Sequence, residues 1–342
     1  MGRKPSRNKN LPKGMRARHR GDKTYFYLDT GTRPRKEIPL GTDYVIAVQK
    51  WAELSVVTTP SAGAITFRYV AERYIRDVLP KKAPATQRIN MRELEKLYEF
   101  FDESPPPPLD SIEPVHIRQY LDWRTAPVRA NREKALFSHI WNYAREKGLT
   151  AKSNPCAGIK GHKEKGRDVY IDDAVYDAVY QCAEPPLKDA MDLAYLIGQR
   201  PADTLKVMRS DIYNGELHIK QNKTEKRVRF SIEGELASVV QRINARKVTS
   251  LHLISNKNGM RMTQWMLRGA FDRARKHATA KHPHLAEQIK NFQFRDLRAK
   301  AGTDTEEAQG MIAAQAQLGH STLQMTAHYV RHRRGKLVKP TK

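Results

Sequence analysis

Two breaks limit what this chain can fold into. Val57-Thr58-Thr59-Pro60-Ser61-Ala62-Gly63 is small and polar, and Gly158 to Arg167 carries Gly161, Gly166 and a run of Lys, Arg and His; both read as linkers. They leave segments 1–57, 64–160 and 167–342. Since 342 residues exceed what one ordinary hydrophobic core organises, two or three cores are expected. The apolar periodicity differs between the segments. Together they predict a mostly α fold with small β elements (α+β).

The first segment opens with a polar, basic stretch over residues 1–13, expected to be disordered without a partner. Met15 to Arg18 and Lys23 to Asp29 then read as strands around the Gly21-Asp22 turn, and Arg35 to Leu40 as a third. Gly41-Thr42-Asp43 caps a helix over Tyr44 to about Leu54, with Val45, Val48 and Trp51 on one face. Within residues 1–36, 12 are Lys or Arg and 2 are acidic, a net of +10. A small basic sheet with surface aromatics suits a nucleic-acid groove. Arg3, Lys4, Arg16 and Arg18 are its candidate contacts.

From Thr66 the period becomes helical. Phe67, Val70, Tyr74 and Val78 form one stripe, ended by Pro80 and Pro84. Thr86 is the expected cap of a helix carrying Ile89, Leu94, Leu97 and Phe101. Pro114 starts another with Ile117, Tyr120, Leu121 and Trp123, and Asn131 a fourth with Leu136, Ile140, Trp141 and Ala144 inward. Trp123 and Trp141 read as core. Arg118, Arg124, Arg129, Arg132, Lys134, Arg145 and Lys147 fall on the opposite face, where Arg118, Arg132 and Lys134 are candidates to grip a phosphate backbone.

The whole chain has a net charge of +25, which calls for a polyanionic partner; nucleic acid comes first and an anionic membrane surface second. No apolar run approaches the roughly 20 residues that span a bilayer. The basic N-terminus lacks the apolar stretch of a secretory signal, so a cytoplasmic protein is expected. Cys156 and Cys182 are too few for a structural zinc site and read as reduced, buried thiols.

In the third segment Arg200 stands at a helix–helix junction, with Pro201 opening the next helix and Asp203 three residues on, able to orient its guanidinium. Glu216 to Gln221 and Arg227 to Ile232 alternate as a hairpin that lifts Lys223 and Lys226 to its tip. Residues 233–290 read as helical. Arg298 lies on a short helix anchored by Phe294 and Leu297, and Thr303 to Ala316 reads as a separate one. Ser321-Thr322-Leu323-Gln324 is a capping-box pattern that opens the helix bearing Tyr329. A tyrosine is mostly protonated at pH 7, so using it as a nucleophile demands nearby cations and proton management. Attack on a phosphodiester builds negative charge that arginines stabilise best, a lysine can protonate the leaving 5′-hydroxyl, and histidines can hold a phosphate oxygen or manage the tyrosine proton. Enough fixed cations make a metal unnecessary, and no cofactor is expected.

The order of these groups is specific. Arg200-Pro201-Ala202-Asp203, Lys223 in Asn222-Lys223-Thr224, Arg295-Asp296-Leu297-Arg298, Leu318-Gly319-His320 and, nine positions after His320, Tyr329 follow one another. This set resembles the tyrosine recombinase family, the phage integrases in particular, and the resemblance covers the whole chain. It implies an arm-type DNA-binding domain over 1–57, a helical core-binding domain over 64–160, and a mixed α/β catalytic domain over 167–342. It implies that Arg200 and Arg298 clamp the scissile phosphate, Lys223 is the general acid, His320 positions the phosphate, and Tyr329 forms a 3′-phosphotyrosyl link, with Asp203 orienting Arg200. Double-stranded DNA with core and arm sites, a tetramer on DNA, a host DNA-bending protein and an excision factor are the implied partners. The tail after Tyr329 is expected to reach a neighbouring protomer. Arg295 departs from the pattern, which has His, sometimes Lys, in that slot. A guanidinium cannot take the tyrosine proton, though it can hold phosphate or favour ionised tyrosine. Charge alone also fits a basic RNA-binding protein, and Arg295 fits a DNA-binding factor without strand exchange. A type IB topoisomerase shares the chemistry, but the small N-terminal module favours an integrase.

Overall fold

The computed structural model describes residues 11–12, 14–30, 36–55, 65–102, 104–246, 248 and 250–330. Arg3, Lys4, the linker 57–63 and the tail 331–342 lie outside the described residues. The chain forms two compact units, residues 1–165 and 166–342.

In the first unit, β1 (Met15–Arg20), β2 (Lys23–Asp29) and β3 (Glu37–Gly41) make an antiparallel sheet in that order. Gly21 has φ +55 in the β1–β2 turn, a conformation glycine adopts without strain. Helix α1 (Tyr44–Ser55) follows, with Asp43 Oδ1 accepting from the Ile46 amide at 3.0 Å. Four more helices are α2 (Phe67–Asp77), α3 (Pro84–Phe101), α4 (Pro114–Trp123) and α5 (Pro127–Glu146). One apolar cluster runs from Met15 through Phe26, Trp51, Phe67, Phe101 and Phe137 to Cys156, so sheet and bundle share a core. Phe67 and Phe137 stack with ring centroids 4.7 Å apart at its centre.

Three expectations for this unit are corrected. Helix α3 starts at Pro84 after Ala83, not at Thr86, and α5 starts at Pro127, not Asn131. In both, proline at the first turn fixes φ and needs no amide partner, so it sets the boundary. Trp123, the last residue of α4, is 45% exposed, with only one side packed on Phe100 and Tyr120. Arg124 does not sit on a solvated face. Its guanidinium donates from Nε and Nη2 to the Glu133 carboxylate at 2.8 and 2.7 Å, and Tyr120 Oη donates to the same carboxylate at 2.7 Å. Glu133 is 2% exposed and needs these partners.

The second unit contains α6 (Asp173–Gln181), α7 (Pro185–Ile197), α8 (Pro201–Thr204), the sheet β4 (Ile212–Tyr213), β5 (Glu216–Lys220) and β6 (Arg227–Ser231), then α9 (Gly234–Asn244), α10 (Gln264–Lys281), α11 (Ala286–Asn291), α12 (Asp296–Gln309), α13 (Met311–Leu318) and α14 (Leu323–Tyr329). Its own apolar cluster runs from Ile171 to Leu297. Residues 250–262 are not helical as expected. Asn256 Oδ1 accepts from the amides of Asn258 and Met260 at 2.9 and 3.0 Å, and Gly259 has φ +76, which closes a turn instead. Arg298 and Thr303 lie on one helix, not two. The break comes at Gly310, with φ +88, between α12 and α13. These two helices approach so closely that a Cβ on Gly302 would lie 2.8 Å from Leu318 Cδ1. Both cysteines are free; Cys156 is buried, but Cys182 ends α6 and is only half-buried. Among the described residues no helix is long and apolar enough to cross a membrane.

Arg124→Met leaves Glu133 buried without its cation and should destabilise the first unit by about 3 kcal/mol. Urea unfolding followed by tryptophan fluorescence measures this. Adding Glu133→Gln should recover much of the loss.

Candidate active site

The site is built where two helices end. Helix α7 stops at Gly198, in the left-handed conformation at φ +61, and α13 stops at Gly319, at φ +66. Each end leaves backbone carbonyls without helical partners. Arg298, carried on α12, fills both. Its Nη1 donates to the Gly198 carbonyl at 2.7 Å and its Nη2 to the Leu318 carbonyl at 2.8 Å. The residue is 2% exposed. Burial and the nearby Arg200 push its guanidinium down to about 10, so it stays charged at neutral pH. Its Nε is buried without a partner.

His320 follows directly after the α13 end. Its Nε2 lies 3.0 Å from Arg298 Nη2, and its Nδ1 lies 3.1 Å from Thr326 Oγ1. Burial, then Arg298, Arg200 and Lys226, push its pKa down to about 4. The imidazole is therefore neutral at pH 7. Tyr329 ends α14, half-buried. Its ring centroid lies 5.0 Å from that of His320 and 5.3 Å from Arg298 Cζ. The cap of α14 is Thr322, whose hydroxyl accepts from the Met325 amide at 3.2 Å, not the expected Ser321. Thr322 has the extended backbone a cap requires (φ −134, ψ 151).

Arg200 occupies the N-cap position of α8, held extended before Pro201. Its Nη1 lies 3.4 Å from Gln221 Oε1 and 3.9 Å from Asp203 Oδ2. Asp203 is 1% exposed, and its closer partner is the Asn222 amide, which donates to Oδ1 at 2.8 Å. The carboxylate thus ties the β5–β6 hairpin to α8. At the hairpin tip Lys223 is exposed, whereas Lys226 donates to the His320 carbonyl at 3.2 Å. Arg295, at the N-cap of α12, is exposed. With Tyr329, His328, Arg167, Val169, Asp296 and Ala299 it lines a recess of about 250 Å³.

The fold thus brings Arg200, Arg298, His320 and Tyr329 together, with Asp203 behind Arg200. Arg295 borders Tyr329 through the recess, and Lys223 stands out at the tip. In the first unit the candidate DNA contacts among the described residues are each engaged by the protein itself. Arg16 pairs with Asp29 at 2.9 Å, Arg18 with Glu37 at 2.6 Å, Arg118 with Asp122 at 2.5 Å and Arg132 with Glu164 at 2.9 Å, while Lys134 donates to the Ile159 carbonyl.

Three residues escaped the sequence reading. Gln199 is 1% exposed and donates to the Ile197 and Gln317 carbonyls at 2.9 and 2.8 Å. Gln221 is fully buried. Its Nε2 donates to Gln199 Oε1 at 2.8 Å and to the Leu318 carbonyl at 2.9 Å. Alternation along the hairpin puts Gln221 on the face of Leu217 and Ile219, and that signal marks it as a buried polar group. A Cβ at Gly319 would lie 2.6 Å from its Nε2. Thr326 is the third, and no spacing singles it out.

Residues 170–335 match the phage integrase family. The integrase of Escherichia phage HK022 is 27% identical over 243 residues, 66% of this chain and 66% of that protein. The integrase of Escherichia phage lambda is 25% identical over 242 residues, again 66% of each. The matched region thus spans about two thirds of these relatives. A lambda integrase dimer bound to a COC′ core site shares the fold with a TM-score of 0.69 at 22% identity, over 97% of this chain and 98% of that one. A lambda integrase tetramer bound to a Holliday junction aligns with a TM-score of 0.68 at 21% identity, over 97% and 99%.

Two outcomes test this geometry. In the unfolded chain His320 titrates near 6.5, and in the folded chain at about 4. Above pH 6.5 both states are neutral and its contribution is whole. As pH falls towards 4 the unfolded chain gains a proton the folded chain refuses, and stability drops. Urea titrations at pH 7, 6 and 5 should show this slope, and His320→Gln should flatten it. Gly319→Ala forces a positive φ on alanine and drives Cβ onto Gln221. It should cost at least about 1–3 kcal/mol in the same assay.

Proposed function

From the match of residues 170–335 to the phage integrase family we propose that the chain is a tyrosine-type site-specific recombinase that integrates or excises a mobile element. The observation that carries this reading is the convergence of Arg200, Arg298, His320 and Tyr329, from four separate elements, around one buried guanidinium.

Tyr329 Oη attacks the scissile phosphorus and passes its proton to solvent water. The bond from phosphorus to the 5′-oxygen breaks, and Lys223 protonates the leaving hydroxyl once the hairpin tip closes on the DNA. The product is a 3′-phosphotyrosyl link, which conserves the bond energy, so rejoining needs no ATP. Arg200 and Arg298 hold the non-bridging oxygens through the transition state. The unpartnered Nε of Arg298 supports this role, since a buried donor without an acceptor is costly and an entering phosphate oxygen would fill it. His320 positions the phosphate. Arg295 adds positive charge beside Tyr329, which favours its ionised form.

Double-stranded DNA is the substrate. The basic N-terminal module, with Arg3, Lys4, Arg16 and Arg18, engages arm sites, and Arg118, Arg132 and Lys134 engage the core site. Four protomers synapse two duplexes in the bacterial cytoplasm, assisted by a host DNA-bending protein and an excision factor.

A nicked attachment-site duplex should trap a covalent adduct on Tyr329, detected by denaturing gel and peptide mapping. Tyr329→Phe should bind the same DNA and give no adduct. Lys223→Ala should cleave at least about 100-fold more slowly, and a duplex with sulfur at the 5′ leaving position should restore it. Restoration of Lys226→Ala instead would transfer the acid role to Lys226. If Tyr329→Phe keeps every biological function, the protein is a DNA-binding regulator and the recombinase reading fails.

A further inference from the structure

We propose that Thr326 is a positioning residue: its hydroxyl fixes His320 in the Nδ1–H tautomer and makes that state depend on docking of the helix that carries Tyr329. The inference rests on the recombinase reading for its consequence, but the tautomer itself rests on geometry.

A guanidinium only donates hydrogen bonds. Arg298 Nη2 lies 3.0 Å from His320 Nε2, so Nε2 must be the acceptor. A neutral imidazole then carries its single proton on Nδ1. The group 3.1 Å from Nδ1 is Thr326 Oγ1, which accepts that proton's bond. The threonine hydrogen is left to go to the Thr322 carbonyl, 3.4 Å away. Every member now has one direction: Arg298 to His320, His320 to Thr326, Thr326 to Thr322. Thr326 is fully buried and His320 is 2% exposed, which leaves water no place as a substitute. The opposite tautomer would face an N–H against the guanidinium and would take the hydroxyl hydrogen away from Thr322.

The relay starts at the phosphate clamp and ends at the first turn of α14. Thr326 lies one turn before Tyr329 on that helix, and Thr322 caps it. Charged and titratable groups acting on His320 come from every side: Arg298 on α12, Arg200 before α8, Lys226 on the hairpin and Tyr329 on α14. The three cations oppose a second proton while α14 is docked. When α14 lifts, Thr326 leaves with it. The imidazole is then free to carry a proton on Nε2, which ends its role as an acceptor for Arg298 and with it the support through which it positions the phosphate clamp. Docking of the nucleophile and the hydrogen-bonding sense of His320 are thus one event.

The test uses the full chain, ¹⁵N-labelled at histidine, with His320→Gln to assign the resonance. Wild type and Thr326→Ser should show the Nδ1–H tautomer at pH 7. Thr326→Val, which keeps the shape and removes the acceptor, should show Nε2–H or a mixture. On the nicked duplex, Thr326→Val should form the Tyr329 adduct at least about 10-fold more slowly at unchanged DNA affinity, with its pH profile displaced, while Thr326→Ser stays within about 2-fold. A wild-type tautomer and rate in Thr326→Val would overturn the proposal, as would equal damage by Ser and Val. If wild type forms no adduct at all, the recombinase reading fails, and the nitrogen shifts alone decide the tautomer.

Discussion

The second unit depends on a guanidinium seated across two helix ends. The carbonyls of Gly198 and Leu318 close α7 and α13, and each end carries partial negative charge from its helix dipole. Arg298 bonds both. The cation is therefore part of the fold before any substrate arrives. This explains how a charged group is held at 2% exposure, since its hydrogen bonds replace most of its hydration. It also means that the position of the proposed phosphate clamp is set by where two helices stop. Gly198 and Gly319 are accordingly residues of the site, although neither carries a functional group.

A second buried cation braces the same helix. Lys300, two residues beyond Arg298, is 2% exposed and pairs with Asp173 at 2.5 Å and Asp304 at 3.0 Å. Tyr170 and Tyr195 donate to Asp304 at 2.7 Å each. The network pins α12 to α6 and α7. On the other side of Arg298, Arg167 holds Asp296 with two hydrogen bonds, 2.6 Å from Nε and 2.5 Å from Nη2. Asp296, the first residue of α12, also accepts from the Gln293 amide at 2.8 Å, which ties the preceding loop to the helix. Helix α12 is thus fixed on both sides of Arg298, which gives the proposed catalytic side chain the rigid support that role requires.

Much of this was legible in the sequence. The strands of the N-terminal sheet, the apolar stripes of α2 to α5 and the hairpin follow from periodicity, because side-chain burial repeats with the backbone geometry. Arg200, Arg298, His320 and Tyr329 were legible because their order carries chemistry. The misses share a cause. Arg124 looked like any surface arginine, since its partner Glu133 is nine residues away and buried by tertiary packing. Gln199 and Thr326 act through backbone carbonyls or a single side-chain atom, and such partners leave no trace in spacing. The helix break at Gly310 was missed because a single glycine inside a helical run is also compatible with an unbroken helix.

The ion pairs of the first unit have a consequence for the DNA binding proposed for it. Arg16, Arg18, Arg118 and Arg132 each already hold a carboxylate. A phosphate that engages one of them must displace an anion the protein supplies itself. Binding becomes ion exchange at fixed sites, in which the displaced counterion stays tethered instead of dispersing into bulk solvent. The salt dependence of binding counts the ions set free from DNA, but the intrinsic affinity of each contact is reduced by the carboxylate it leaves behind. A net charge of +25 therefore overstates the grip on a random duplex. Discrimination is left to sites where enough phosphates align to make the exchange worthwhile at several arginines at once.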